Sequence, residues 1–322
     1  MMMRNPNFSN KVIVNICTYK RPNMLHACLT SILTQSIPAQ WQVEIQIIDN
    51  DVQSDINSKL NEWAFTQQIP IHYKIEPVRG IPMARNTACQ SSLNHQADWI
   101  IFIDDDETAK EGWLDAYAKA INSNEADVYT GPVEYHFPND SAEWLANENF
   151  DRTPNGKLLK RAATNNVMIA RKVFASDGMN MRFDENMALM GGEDSDFFMR
   201  YVAQNGKIIF VKNAIVSEDV MLNRTTLQWR LNRQFRSSIH RIYSYHKLYG
   251  YKYTLCAALK QSVRHLIDGT IGLVTSPLFL LISKNSFKRR FYHALRHYAK
   301  LLGNLTGLVC HNFEGYKITD GF

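Results

Sequence analysis

What the chain lacks narrows its function before any motif is read. No apolar run reaches the roughly 20 residues that a spanning helix needs. Residues 270–283 (TIGLVTSPLFLLIS) are strongly apolar but shorter, and Pro277 interrupts them, so they are expected to be buried or interfacial. The five cysteines (Cys17, Cys28, Cys89, Cys256 and Cys310) are odd in number and scattered, with no C-x-x-C pair to make a zinc site or a redox dithiol. They are expected to be reduced core thiols of a cytoplasmic protein. The N-terminus, MMMRNPNFSNK, has no apolar h-region, so no secretory signal is expected. A net charge of +5, from 36 basic and 31 acidic residues, is too mild to argue for a nucleic-acid partner, and none is expected. The turn after the first strand has neither the G-x-G-x-x-G of a dehydrogenase nor the glycine-rich basic loop of a nucleotidyltransferase.

What is present is ordinary globular material: 322 residues, 45% apolar and 21% charged. Between residues 11 and about 212, short apolar runs at 12–17, 43–49, 71–76, 99–103, 128–130 and 208–211 alternate with segments of helical spacing at 23–35, 83–95, 112–122 and 195–205. This alternation predicts an α/β layer fold with a mainly parallel central sheet. Ligands in such sheets bind beyond the carboxyl ends of the strands. Polar clusters fall at three of those ends: Thr18-Tyr19-Lys20-Arg21, Asp49-Asn50-Asp51 and Asp104-Asp105-Asp106.

Past residue 218 the texture changes to Arg, Trp and Tyr at helical spacing, then the apolar run, then KNSFKRRFYHALRHYAKLLG. The predicted division is a catalytic domain at 1–217 and a helical basic and aromatic region at 218–322. Such a region suits an anionic membrane surface. A helical subdomain packed on the first domain, or a dimer interface, is the competing reading.

Four motifs carry chemistry. In IIFIDDDE an apolar strand delivers three carboxylates to its exposed end, and their repulsion calls for a positive partner. A hard divalent cation with phosphate oxygens is the natural one. Asp104 and Asp106 share a face of an extended segment and Asp105 points the other way; a solvated acidic loop is the plain alternative. In GGEDSDFFMR two glycines precede Glu193 and Asp194 at a helix start. Side chains adjacent on a helix diverge by about 100°, so one of the pair faces the reacting atoms; Asp194 is taken as general base, with Glu193 orienting the acceptor or supporting the loop. Both can also serve simply as acids complementing the helix dipole. In EPVRGIPMARN, Arg79 and Arg85 can meet diphosphate charge at a helix start, or Arg85 can sit in a buried ion pair. In CTYKRP a hydroxyl, an aromatic ring and two cations stand where a nucleotide can rest, and Asp49 can accept from a uracil N–H or cap the next turn.

Taken in order, CTYKRP, IIDND, EPVRGIPMARN, IIFIDDDE, TGPV, TNNVMIARKVF, FDENMALMGGEDSDFFMR and SEDV…R…W…R…FR resemble family 2 glycosyltransferases of the GT-A (nucleotide-diphospho-sugar transferase) fold. They are closest to the branch of succinoglycan-type exopolysaccharide glucosyltransferases. The resemblance covers about residues 11–245. It implies an inverting single displacement from a nucleotide-diphosphate sugar, UDP favoured, to a saccharide or lipid-linked acceptor in surface polysaccharide synthesis. It also implies Mn2+ or Mg2+ at Asp104 and Asp106, with Asp106 foremost, and a catalytic base at Asp194. Thr18, Tyr19, Arg21 and Asp49 fall on positions around the nucleoside; Arg85, Asn86 and Asp105 fall with the donor-binding group. Some relatives have a metal-binding His after the last strand, where this chain has Ser217-Glu218-Asp219, which leaves the third ligand open. Trp144 and residues 134–150 are expected to wall the acceptor or cover the site. The enzyme is expected to be cytoplasmic and peripheral at the inner face of the membrane. The rivals are a non-catalytic scaffold of a polysaccharide assembly complex and a nucleotidyltransferase.

Overall fold

A computed structural model describes residues 10–63, 69–123, 125–139, 153–188 and 190–309. Trp144 and most of the expected acceptor wall lie outside the described residues, as does Cys310. The apolar runs become strands. β1 (Asn10–Thr18), β2 (Trp41–Asp49), β3 (Ile71–Ile75) and β4 (Trp99–Asp104) are joined by α1 (Pro22–Leu33), α2 (Ile56–Glu62) and α3 (Ile81–Asn94). In α1 the buried Leu25, Cys28, Leu29, Ile32 and Leu33 repeat every three or four residues, which lays one stripe on the sheet. Each fully buried Leu or Ile contributes about 2 kcal/mol of hydrophobic stabilisation.

The chain continues through β5 (Glu107–Ala109), α4 (Trp113–Ser123), β6 (Val128–Thr130), β7 (Val133–His136), β8 (Leu158–Leu159), β9 (Asn166–Ala170), α5 (Arg171–Phe174), α6 (Glu193–Ala203), β10 (Ile208–Phe210) and β11 (Val216–Asp219). Eight strands form one sheet in the order β3-β2-β1-β4-β9-β6-β10-β8, and β5-β11-β7 form a second, smaller one. The main sheet is mostly parallel. β9 is the exception at its centre, antiparallel to both β4 and β6. Its five residues are all buried, so it shows no alternation that would mark it as a strand in the sequence. The domain boundary at 217 falls inside β11, whose Glu218 and Asp219 still belong to the small sheet. Of the thiols, Cys28 and Cys89 are buried, while Cys256 is exposed rather than in the core.

The C-terminal region is helical: α7 (Leu227–Thr275), a 3-10 turn (Ser276–Leu281) and α8 (Lys284–Val309). α7 is broken at Gly250, where φ is 77° and ψ is 173°. Asn304 of α8 bonds both Arg241 at 2.8 Å and Ser262 at 3.4 Å. Those two lie about 20 residues apart, or about 30 Å along a straight helix, so the chain doubles back at Gly250 and three helices pack together. Gly303 and Gly307 face Phe235, Ser238, Ile239 and Ile242 of the first half of α7; Ala294 faces Gly272 of the second half. No helix among the described residues is long and apolar enough to cross a membrane. Residues 270–283 are not buried as a run: Ile271, Val274, Leu278 and Leu280 to Ile282 are exposed.

The close approach at Gly303 sets a test. A Cβ there would stand 2.3 Å from the Phe235 carbonyl oxygen, so Gly303→Leu is expected to separate the helices and lower stability by about 3 kcal/mol, read from the urea midpoint.

Candidate active site

Three parallel strands end side by side because they share a register. Thr18 at the end of β1 is level with Asp49 at the end of β2, and Cys17 is level with Asp104 at the end of β4. Strand order also reverses between β1 and β4, and that switch point is the crevice where open α/β sheets take ligands.

The acidic run turns out of β4 into β5 at this edge. Asp105 points inward and is 4% exposed. It accepts the Thr18 hydroxyl at 2.8 Å and the Arg21 guanidinium at 3.1 Å. Burial, against the pull of Arg21, pushes its carboxyl up to about 7. The same Arg21 nitrogen reaches Asp106 at 3.2 Å. Asp104 has an open carboxylate, 42% exposed, on an otherwise enclosed strand end, with Arg85 at 3.6 Å. Burial is the main force raising it to about 6; Arg85 opposes the rise and Asp106 adds to it.

Behind this run lies a pair of acids whose position is not evident from the motifs. Glu107 on β5 and Glu218 on β11 stand directly opposite in antiparallel register, an arrangement that like charges disfavour. Glu107 accepts from Asn165 at 2.9 Å, and Glu218 pairs with Arg224 at 2.9 Å. Arg224 also reaches Asp106 at 3.5 Å. Burial first, then Asp106, lifts Glu218 to about 7, and burial with Asp104 and Asp106 holds Glu107 well above its ordinary value. A concentration of hard oxygen donors that raise one another's proton affinity fits a hard divalent cation. Among the described residues, the three side chains whose metal-binding atoms all lie within 4.8 Å of one another are elsewhere: Glu44, His72 and His95. Glu44 is mid-strand on β2 and already pairs with Lys11 at 2.7 Å.

Opposite the acids, two loops are fastened together. Asn50 donates to the carbonyls of Glu76 and Val78 and accepts the Gly80 N–H at 2.7 Å. Gly80 has φ 144°, and a Cβ on it would lie 2.7 Å from that of Ala188. The fastening brings Arg79 to 5.1 Å from the Tyr19 ring, with Lys20 at 5.2 Å from the same ring. Asp49 is fully buried; its oxygens accept the Asp51 N–H at 3.0 Å and the Tyr73 hydroxyl at 3.0 Å. It therefore caps the turn. Asn86 exchanges hydrogen bonds with the Phe183 backbone and donates to Glu185, which turns it away from the acids to brace the following loop. In a groove of about 500 Å3 beyond it, lined in part by Arg182, Asp184, Arg200 and Lys247, Lys247 pairs with Asp184, Arg200 pairs with Asp196 outside the lining, and Arg182 donates to backbone carbonyls.

Arg85 joins the halves of the site. Its guanidinium is buried, bonded to Glu193 and facing Asp104. Burial opposes its charge, but Glu193, Asp104 and Asp194 more than offset that and leave it above its ordinary value. Glu193 is the buried member of the pair at the start of α6. Asp194 is part-exposed, accepts the Ser195 N–H at 2.6 Å, and has no ion pair among the described residues. The loop before it needs its glycines: Gly191 and Gly192 have φ 78° and 79°, and a Cβ on Gly192 would lie 2.7 Å from the His240 ring.

The model for the family described as "Glycosyl transferase family 2" matches residues 13–181. The chain is 28% identical over 236 residues to succinoglycan biosynthesis protein ExoM of Rhizobium meliloti, covering 72% of this chain and 74% of that one. It is 25% identical over 157 residues to the glycosyltransferase AglE of Haloferax volcanii, 48% of this chain and 49% of that one. Among solved structures it is similar to GalNAc-T7 with UDP, GalNAc and Mn2+, at a TM-score of 0.55 and 15% identity, over 75% of this chain and 50% of that one. It is also similar to residues 1–349 of S. aureus TarS with UDP, at 0.50 and 13%, over 97% and 95%. These neighbours carry the GT-A fold.

Removing Arg85 leaves two carboxylates facing each other with nothing between. Arg85→Ala is expected to cost about 3–5 kcal/mol. The double variant Arg85→Met, Glu193→Met should regain most of that in urea unfolding, since no buried charge is then left unpaired.

Proposed function

Since the chain belongs to glycosyl transferase family 2, we propose that it transfers a hexose from a UDP-sugar, with inversion, to a saccharide or lipid-linked acceptor in surface polysaccharide biosynthesis. The observation that carries this reading is the pairing, across Arg85, of an acid cluster at the strand ends with one part-exposed carboxylate, Asp194, that makes no ion pair among the described residues. Two solved relatives in fold hold UDP and one of them Mn2+, which supports the donor and metal assignment.

In this mechanism the nucleoside rests between Thr18, Tyr19, Arg21 and Asp49. Asp49 would accept a uracil N–H beside the bonds that make it a turn cap. Asp104 and Asp106, with Glu218 as the third ligand, would hold Mn2+ or Mg2+, which supplies positive charge to the leaving diphosphate. Arg21, Arg79 and Arg224 add cationic donors on the same side, where negative charge builds as the sugar–phosphate bond breaks. Asp105 positions Arg21 and the β1 loop. Asp194 takes the proton of the acceptor hydroxyl while that oxygen bonds the anomeric carbon. Glu193 and Arg85 hold the base loop, and Asn86 fixes the neighbouring turn. Catalysis is assigned to residues 1–217, with Arg224 reaching back from beyond that boundary. The region from 218 serves a membrane, which places the enzyme at the inner, cytoplasmic face.

The scaffold alternative has a direct test. In calorimetric titration with UDP, manganese is expected to tighten binding; no metal-dependent nucleotide binding would favour a scaffold. Asp194→Asn should leave UDP affinity unchanged while turnover falls about 100-fold or more. Asp106→Ala should weaken the manganese-dependent binding itself, and equal weakening by both substitutions would overturn the two roles.

A further inference from the structure

The second half of α7 is built inside out for a helix in water. Facing inward on it are Ala258, Ser262, Gly269 and Gly272, and α8 meets it and the first half with Ala294, Gly303, Asn304 and Gly307; the larger buried side chains, Ile239, Ile242 and Tyr292, lie on the other two helices. Hydrogen bonds join the helices, part-buried from Arg241 to Asn304 at 2.8 Å and between His265 and His297 at 3.1 Å, and at the surface between Thr270 and Tyr298 at 2.9 Å. Facing outward are large apolar side chains. Leu259, Val263, Leu266, Ile267, Ile271 and Val274 are 49–72% exposed and repeat every three or four residues. On a helix those positions fall within an arc of about 140°. The stripe runs on into the turn, where Leu278, Leu281 and Ile282 are 62%, 87% and 72% exposed. Small residues and polar bonds within, with bulky apolar groups without, is the pattern of helices packed in lipid.

The charges beside the stripe select the occupant. Between residues 259 and 290 the basic residues are Lys260, Arg264, Lys284, Lys288, Arg289 and Arg290, against the single acid Asp268, which already pairs with Arg264 at 3.5 Å. A second copy docking on this face by two-fold symmetry would set this basic set against itself. An anionic bilayer surface matches it.

The bundle also determines where the apolar turn lies relative to the chemistry. Gly303 meets Phe235 and Ser238, and Gly307 meets Ile239 and Ile242, so α8 runs parallel to the first half of α7. Gly272 meets Ala294 and Gly269 meets Tyr298, so it runs antiparallel to the second half. The turn at 276–283 therefore lies at the end of the bundle where α7 begins, and Gly250 lies at the far end. That first half is fastened to the site: His240 packs on Gly192, and Lys247 pairs with Asp184 at 2.6 Å.

We propose that the second half of α7 and the turn at 276–283 insert into one leaflet of an anionic membrane, with Lys284, Lys288 and Arg289 on the headgroups, so that the transfer site is held at the bilayer surface. No helix spans in this arrangement; the apolar face lies at the acyl boundary, as an interfacial helix does. The purpose assigned to it, bringing a lipid-borne acceptor to Asp194, rests on the transferase reading above; the insertion itself does not.

The test is flotation of the full chain with vesicles of phosphatidylcholine alone or with about 30% phosphatidylglycerol, alongside UDP titration and light scattering of the same samples. The chain is expected to float with the anionic vesicles. Leu281→Glu with Ile282→Glu, at exposed positions, should weaken this at least about tenfold with UDP affinity unchanged, and Lys288→Glu with Arg289→Glu should weaken it on anionic vesicles. No flotation of the unaltered chain overturns the proposal, and a dimer that Leu281→Glu dissociates would assign the face to a second copy. Equal flotation of the Leu281→Glu, Ile282→Glu variant removes the turn from the contact. Absent UDP binding with intact flotation would instead count against the transferase reading alone.

Discussion

The site depends on one buried cation. Arg85 stands between Asp104 at the end of β4 and Glu193 at the start of α6, and the buried Glu193 carboxylate is costly to hold without it. Its place is set by α3, whose first turn is fixed by Asn50 and by a glycine backbone at Gly80 that no Cβ could share with Ala188. The acid cluster and the loop that carries Asp194 thus meet through a single guanidinium. An ion pair enclosed to this degree contributes little net stability compared with an apolar pair. What it fixes is the distance between the acid cluster and the loop that carries Asp194, and that geometry is what a displacement reaction needs.

Around Arg85 the protein tolerates a density of negative charge that it could avoid. Glu107 and Glu218 stand opposite one another, and Asp104, Asp105 and Asp106 crowd the adjacent turn. Arg21 and Arg224 are the counterions, each shared between two acids. Shared counterions are the useful part of this arrangement. A guanidinium that already bridges two carboxylates can turn toward a phosphate without leaving either acid far from positive charge, so the same residues serve the resting site and the charged ligand.

Much of the catalytic half was legible because it is local. The runs that became β1, β2 and β4 are short, largely apolar segments ended by polar clusters, and strand ends in a parallel sheet gather those clusters without further information. β9 was not legible as a strand: five buried residues without alternation look the same in a helix or a strand. Glu218 stood in view as a departure from the family pattern, but its partner across the small sheet, Glu107, lies more than a hundred residues away. Nothing short of the β5–β11 register reveals that pairing. For Asp49 the sequence leaves a uracil contact and a turn cap both open, and its hydrogen bonds supply the cap; Asn86, on the segment flanking the donor, braces a loop. The fold-back at Gly250 was hidden for a related reason: helical spacing continues through it on both sides, and only a residue such as Asn304, touching both halves, shows that the helix has turned.

The C-terminal helices and the acid cluster are one construction. Arg224, which holds Glu218 and Asp106, lies two residues before Thr226, the cap of α7. The first half of α7 then packs His240 against the glycine loop that aims Asp194. A force applied to the bundle is therefore transmitted to both the acid cluster and the loop that carries Asp194 through short covalent and packed connections, with no flexible linker between. A surface contact made by the second half of α7 would orient the whole site, since the bundle's small-residue interior leaves the helices little room to slide. The cost is an apolar face that water does not favour, and the proposed membrane contact would cover it.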